Sequence, residues 1–288
     1  MKKIAVFTLA VASMMTLSCC NGQTQKTQEE AETVDTISVE GIEGVSTVVL
    51  NDGSQAFWLQ DNEQERKNPT TLFGEVPQEI IDSLGVQDGI PSSMSTVLLK
   101  SEGKWILFDS GLGANGHGQL QNRLQALGLT PADIDFVYIT HFHGDHIGGM
   151  LDGDSIVFNN AQVYASQAEY DGWMNMPADK NGLQVKVMEA YKDQLHLFTF
   201  DQELPCGIVA LDAVGHTPGH AAYLKSNLLV VGDLFHGWAL QEKHTEFCAN
   251  FDMDKAASVA SRQRLMEYAR TNGLYMAGMH LPAPGFFE

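Results

Sequence analysis

The chain has 288 residues, of which 44% are hydrophobic and 18% charged, enough apolar material for one substantial core. Its formal net charge of −19 repels phosphate backbones and argues against nucleic acid as a partner. No solenoid-length repeat and no second compositional regime follows residue 40, so one folded domain is expected over residues 41–288.

In chain order, Lys2 and Lys3 precede an apolar run from Ile4 to Leu17 that ends at Ser18, Cys19 and Cys20. This layout predicts a secretory signal over residues 1–20, since the run is too short and too abruptly ended for a membrane span. Thr16-Leu17-Ser18-Cys19-Cys20 resembles a bacterial lipoprotein cleavage box with Leu17 three positions before Cys20. Cys20 is therefore the expected lipid anchor and Cys19 the alternative. The expectation is an exported lipoprotein, periplasmic or associated with the outer membrane, that touches the bilayer by its anchor alone. Loss of Lys2 and Lys3 with the leader takes the net charge to −21. Residues 21–40 read as a flexible tether, because their Gln, Thr and Glu offer little apolar surface to offset the entropy of ordering.

Val45 to Leu50 and Gln55 to Leu59 flank Asn51-Asp52-Gly53 and predict a β-hairpin. Asp61 to Pro69 reads as polar loop. Thr96 to Leu99 and Trp105 to Phe108 predict a second strand pair around Glu102-Gly103. Leu120, Leu124 and Leu127, followed by Gly128, have the spacing and stop of an amphipathic helix. Thr130-Pro131-Ala132-Asp133 predicts a capped helical turn leading into Phe136 to Thr140, an apolar strand of the kind covered on both faces. Two more apolar strands, Ile208 to Val214 and Leu228 to Val231, precede a long helix from about Asp254 to Thr271 stopped by Asn272-Gly273. A last strand, Leu274 to Gly278, delivers His280. Mixed sheets with outer helices predict a layered α/β sandwich rather than a barrel. Cys206 and Cys248 allow one disulfide or two buried thiols. After its last motif the chain stops at Phe287 and Glu288, which predicts either a truncated chain or a bare sheet edge.

The strongest signal is His141-Phe142-His143-Gly144-Asp145-His146, directly after an apolar strand. In extended backbone, residues at i and i+2 point the same way, so His141 and His143 grip one ion. A sharp turn at Gly144 lets Asp145 and His146 face a second point. His216, Asp233 and His280 each follow an apolar strand, where α/β sheets assemble their sites. Asp233 is assigned as the bridge, one oxygen for each ion. So much imidazole favours Zn, with Mn, Fe, Co or Ni as rivals. Burying these groups without a metal or partners costs several kcal/mol.

HFHGDH matches the HxHxDH signature of the metallo-β-lactamase superfamily, and the rest of the chain agrees. ILFDSGLG at 106–113, GHTPGH at 215–220, VVGDLF around Asp233 and GMHLPAPG around His280 resemble its other motifs. The resemblance runs from about Gly44 to the C-terminus. It implies the superfamily's αββα sandwich, with His141, His143 and His216 on one metal, Asp145, His146 and His280 on the other, and Asp233 between them. GHTPGH offers two histidines; similarity to N-acyl homoserine lactonases and glyoxalase II places the ligand at His216, with His220 as support and fallback. Asp109 is expected to orient a ligand histidine from behind, or to form the Asp-Ser-Gly turn, or both.

Two such ions acidify a shared water and polarise an acyl or phosphoryl centre, so hydrolysis of an ester, lactone or phosphotriester by a bridging hydroxide is expected, with Asp145 carrying a proton. DLFH at 233–236 and HLPAPG at 280–285 look closest to the methyl parathion hydrolase and lactonase-like branch. The lactonases carry a tyrosine three after the bridging aspartate, where this chain has His236; it is assigned a hydrogen bond to the developing oxyanion, against the alternative of a solvent-facing loop position. Trp173, Met174, Met176, Trp238 and Phe247 are the expected apolar substrate wall, with packing as the alternative. Two rivals remain: an iron-dependent oxidoreductase resembling the persulfide dioxygenases, and a non-catalytic envelope binding lipoprotein.

Overall fold

The computed structural model describes Val6–Ala10 and Thr33–Glu288. Both candidate anchor cysteines, Cys19 and Cys20, and most of the leader and tether lie outside the described residues. Val6–Ala10 pairs antiparallel with Thr33–Ile37. Among the described residues no helix is long and apolar enough to cross a membrane.

Twelve strands build two sheets that divide the chain in order. The first holds β1 (Val45–Val49), β2 (Gln55–Gln60), β3 (Ser95–Ser101), β4 (Lys104–Phe108), β5 (Phe136–Tyr138), β6 (Gln162–Ser166) and β7 (Leu195–Phe198). They lie side by side in sequence order, antiparallel from β1 to β4 and parallel from β4 to β7. The second holds β8 (Glu203–Leu204), β9 (Ile208–Asp212), β10 (Ala221–Lys225), β11 (Leu228–Val230) and β12 (Tyr275–Ala277), antiparallel except for the parallel β11–β12 pair. The helices are α1 (Gln78–Leu84), α2 (Leu120–Ala126), α3 (Gly144–Ile147), α4 (Gln167–Met174), α5 (Gly182–Ala190), α6 (Trp238–Gln241) and α7 (Lys255–Asn272).

Strand alternation sorts the apolar side chains into layers. Ala56, Val97, Leu99, Ile106, Phe108 and Tyr138 of the first sheet meet Ile208, Ala210, Tyr223, Leu228 and Val230 of the second. The opposite side chains, Phe57, Leu59, Leu98, Leu107 and Val137, pack on Leu120, Leu124, Val187 and Met188 of α2 and α5. Behind the second sheet, Ala222 and Leu229 pack on Leu265, Met266 and Ala269 of α7. The result is the helix–sheet–sheet–helix sandwich that the family resemblance implies. Helix α7 has the predicted punctuation: Asp254 accepts from the Ala257 amide, and Gly273 ends it with φ 61°. The Thr130–Asp133 capping box also forms.

Two details depart from the sequence reading, and a third settles an alternative it left open. The stretch from Asp61 to Pro69 is not all loop: Arg66–Asn68 pairs with Ile90–Ser92, and Asp61 is buried, its carboxylate accepting from the Leu112 and Leu120 amides. The edge beside β12 is not bare, because Phe287 folds back to exchange two backbone hydrogen bonds with Met276. Cys206 and Cys248 are free thiols.

Candidate metal centre

Strand β5 is short, and its successors Ile139 and Thr140 run straight into the histidine loop. His141 Nε2 and His216 Nε2 lie 3.0 and 2.9 Å from His143 Nδ1, so three imidazole lone pairs converge on one point. Asp233 Oδ2 stands 3.3 Å from His216 Nε2 and 3.7 Å from His141 Nε2. The other oxygen, Oδ1, lies 3.0 Å from His146 Nε2. His280 Nε2 completes a second group, 3.1 Å from Asp233 Oδ2 and 3.6 Å from Asp145 Oδ2. His141, His143, His216 and Asp233 thus form one four-ligand cluster, and Asp145, His146, Asp233 and His280 another, each within 4.8 Å. Asp233 belongs to both.

The change of direction between the two clusters is helical, not a glycine turn. Residue 144 opens α3 with His143 at the N-cap, and its φ is not positive. One helical turn swings Asp145 and His146 away from His141 and His143.

The candidate ligand rings of His146, His216 and His280 are each held by their other nitrogen, as metal-binding imidazoles require. His146 Nδ1 lies 2.8 Å from Asp109 Oδ2, and Asp109 also accepts from the Thr140 hydroxyl and amide at 2.7 Å. Asp109 holds φ 63°, a left-handed conformation that a non-glycine residue keeps only where its surroundings fix it. His216 Nδ1 meets Asp252 Oδ1 at 2.8 Å, and His280 Nδ1 meets the Ser93 carbonyl at 3.0 Å. His220 spends both nitrogens on backbone, Nδ1 at 3.0 Å from the Ala213 carbonyl and Nε2 accepting from the Asp233 amide at 3.2 Å. That leaves His216 as the histidine of GHTPGH within the cluster.

Burial pushes His143 down to about 3, with the His216 ring adding to it. Burial also lowers His216, but hydrogen bonds to the Asp233 and Asp252 carboxylates outweigh it and lift the ring to about 9. Asp233 would be raised by burial, yet His146, His280, His236 and His141 hold it well below the usual carboxylate range. His146 Nε2 and Asp233 Oδ1 are buried and, though 3.0 Å apart, are not aligned as a hydrogen bond and have no other partner. Buried polar atoms are rarely left so. An all-imidazole and carboxylate donor set with two such orphans fits a pair of divalent cations.

Several residues invisible as site elements in the sequence complete the support. Asp252 sits on a loop held by the fully buried Arg262, whose guanidinium donates to the Leu234, Thr245 and Phe247 carbonyls. Glu169, in α4, accepts from the Phe142 and Gly219 amides at 2.8 Å, the Thr217 hydroxyl at 2.7 Å and the Trp173 indole at 2.6 Å. Gly219 comes so close that a Cβ there would lie 2.0 Å from the Glu169 amide nitrogen.

The expected apolar wall is corrected by the structure. Trp173 is buried in α4 and bonded to Glu169, and Met174 and Met176 pack on the first sheet's helix-covered core. Trp238 packs edge-on against Phe235 and tilted against Phe287, and Phe247 packs beside Phe73 and Ile90. These aromatics satisfy element packing. The cavity over the clusters, about 280 Å³, is bounded by Arg66, Asn68, Met94, His236 and Phe251 besides the ligand residues. His236 is buried rather than facing solvent, stacked 4.9 Å from the His280 ring with Nε2 3.2 Å from Asp233 Oδ2.

Residues 90–267 match the Metallo-beta-lactamase superfamily. The chain belongs to that superfamily. It is 26% identical over 184 residues to the N-acyl homoserine lactonase AttM of Azorhizobium caulinodans, covering 58% of this chain and 68% of AttM. Among solved structures, AidC, a dizinc quorum-quenching lactonase in complex with a product, superposes with a TM-score of 0.75 at 25% identity, covering 84% of this chain and 92% of AidC. The hydrolase AbOPH superposes with the same score at 27% identity and the same coverage. The superfamily, its lactonase-like relatives and the two ligand clusters make the chain a metal-dependent hydrolase.

Proposed function

We propose that the chain hydrolyses esters, lactones or phosphotriesters at a two-zinc centre shared through Asp233. The observation that carries this reading is the division of the Asp233 carboxylate, Oδ1 toward His146 and Oδ2 toward His216, with four candidate ligands around each point. Divalent ions held there supply Lewis acidity, acidifying water toward neutrality and polarising the electrophile. His141, His143 and His216 would hold one ion, and Asp145, His146 and His280 the other. Asp145, though raised by burial, is kept ionised by His146 and His280, and its partly exposed carboxylate is placed to take a proton from water and pass it to the leaving oxygen. His236 lines the cavity with neither ring nitrogen committed to a hydrogen bond, so it offers an N–H to oxygen charge that develops during the reaction.

Chelation followed by zinc titration tests this. Activity on a panel of lactones, aryl esters and phosphotriesters should fall at least ~100-fold on chelation and return at two equivalents of zinc. Stoichiometric iron with oxygen consumption would replace the hydrolase reading with the oxidoreductase one.

We also propose export and lipid anchoring at Cys20, on the residue 1–20 pattern. Radiolabelled palmitate fed to expressing bacteria should mark the wild type and Cys19→Ala but not Cys20→Ala. Labelling that survives Cys20→Ala moves the anchor to Cys19.

A further inference from the structure

The chain has five arginines, and four of them are committed. Arg123 donates to the Gln60 and Glu43 carbonyls, Arg262 to three carbonyls, Arg264 to the Asp212 carbonyl, and Arg270 pairs with Glu267. Arg66 differs. Its only hydrogen bond among the described residues is from Nε to Asn68 Oδ1, at 3.4 Å, and it makes no ion pair there. In a chain with 36 acidic side chains, an unpaired guanidinium bordering the catalytic cavity is conspicuous.

The strand that carries it is fixed relative to the ligands, and its exposed side chain borders the cavity. The Arg66–Asn68 strand pairs with Ile90–Ser92, Asn68 Nδ2 donates to the His236 carbonyl at 2.7 Å, and Ser92 Oγ donates to the His280 carbonyl at 3.2 Å. The ribbon that carries Arg66 is thus tied to the two loops that border the second cluster. Among the described residues Arg66 is the only lysine or arginine lining this cavity, and Met94 and Phe251, the latter 57% exposed, supply its apolar surface.

We infer that Arg66 is a specificity-determining residue that selects substrates carrying a carboxylate remote from the scissile bond. A guanidinium with both Nη groups free matches a carboxylate by two parallel hydrogen bonds, and the match fixes orientation as well as charge. Among the described residues a single guanidinium stands at this end of the cavity, away from the ligand clusters, and its one charge matches a carboxylate better than a phosphate dianion. The strongly acidic surface repels anions elsewhere, so the cationic mouth also concentrates them at this one place. The substrate class is then an amphiphile: an ester or lactone whose apolar segment lies over Phe251 and Met94 and whose far end is a carboxylate at Arg66.

This inference rests on the hydrolase reading, and two measurements separate their failures. The first compares mono-p-nitrophenyl adipate, which has a free carboxylate, with its methyl ester. Arg66→Ala should lower kcat/KM for the free acid at least ~10-fold, mainly through KM, and change the methyl ester less than ~2-fold; Arg66→Lys should recover part of the loss. The second is calorimetric binding of adipate to the metal-free protein, weakened at least ~10-fold by Arg66→Ala. Binding that depends on Arg66 without turnover of either ester retains this inference and removes the hydrolase reading. Equal losses on both esters, or no loss on either, with adipate binding unchanged, overturns it.

Discussion

Asp233→Asn should reduce kcat/KM by at least ~1,000-fold, about 4 kcal/mol of lost transition-state stabilisation at 1.36 kcal/mol per decade. The asparagine keeps the size of the side chain but replaces one charged oxygen with an amide that cannot serve a cation. Because Asp233 belongs to both clusters, the loss falls on both ions. It also removes a carboxylate that lies within 3.7 Å of all five of His141, His146, His216, His236 and His280. Elemental analysis after dialysis should find fewer than two metal equivalents in the variant against two in the wild type, with the circular dichroism of the fold retained. Two retained equivalents with unimpaired turnover would falsify the bridging role. His220→Ala gives the contrast: its ring bonds only to backbone, so its loss should loosen the Asp233 loop and lower metal affinity by ~10-fold without removing a ligand.

The convergence of these candidate ligands was legible because much of their chemistry is local, although the choice of His216 over His220 came from the family resemblance and not from spacing. Four of the seven residues stand within His141–His146, and the other three follow apolar strands whose ends the hydropathy pattern already marked. The layers were legible for a similar reason: alternation in β2, β3 and β4 assigns Phe57, Leu98 and Leu107 to one face and Ala56, Val97 and Ile106 to the other. What stayed hidden works over distance. Asp252 reaches His216 from 36 positions away, and nothing in Phe251-Asp252-Met253 distinguishes it from a surface acid. Glu169 lies in an eight-residue helix with weak amphipathicity, where a buried glutamate is the last expectation. Arg66 stands in a polar stretch that reads as loop, because a three-residue strand is too short to show a period. The aromatics failed differently. Trp173 and Trp238 neighbour the motifs in sequence, but α4 and α6 turn them into the core.

Glu169→Ala should destabilise the protein by roughly 3–5 kcal/mol, the range for breaking a buried hydrogen-bond network. Four donors lose their acceptor together, and none can reach solvent: the Phe142 amide in the histidine loop, the Thr217 hydroxyl and Gly219 amide in the next motif, and the Trp173 indole. The carboxylate joins the loop of His141 and His143 to the loop of His216 and thereby sets the spacing of three ligands. Trp173, which it anchors, lies edge-on 5.5 Å from His143. Glu169→Gln preserves the volume and two acceptor lone pairs but turns an amide toward donors, so it should cost less stability while still lowering zinc affinity by ~10–100-fold. Urea unfolding of the metal-free variants isolates the first effect. Competition with a chromophoric chelator on the folded Gln variant isolates the second. Loss of stability in both variants with wild-type zinc affinity in the Gln variant would make Glu169 a packing residue alone, and the spacing of His141, His143 and His216 would then have to come from the strands.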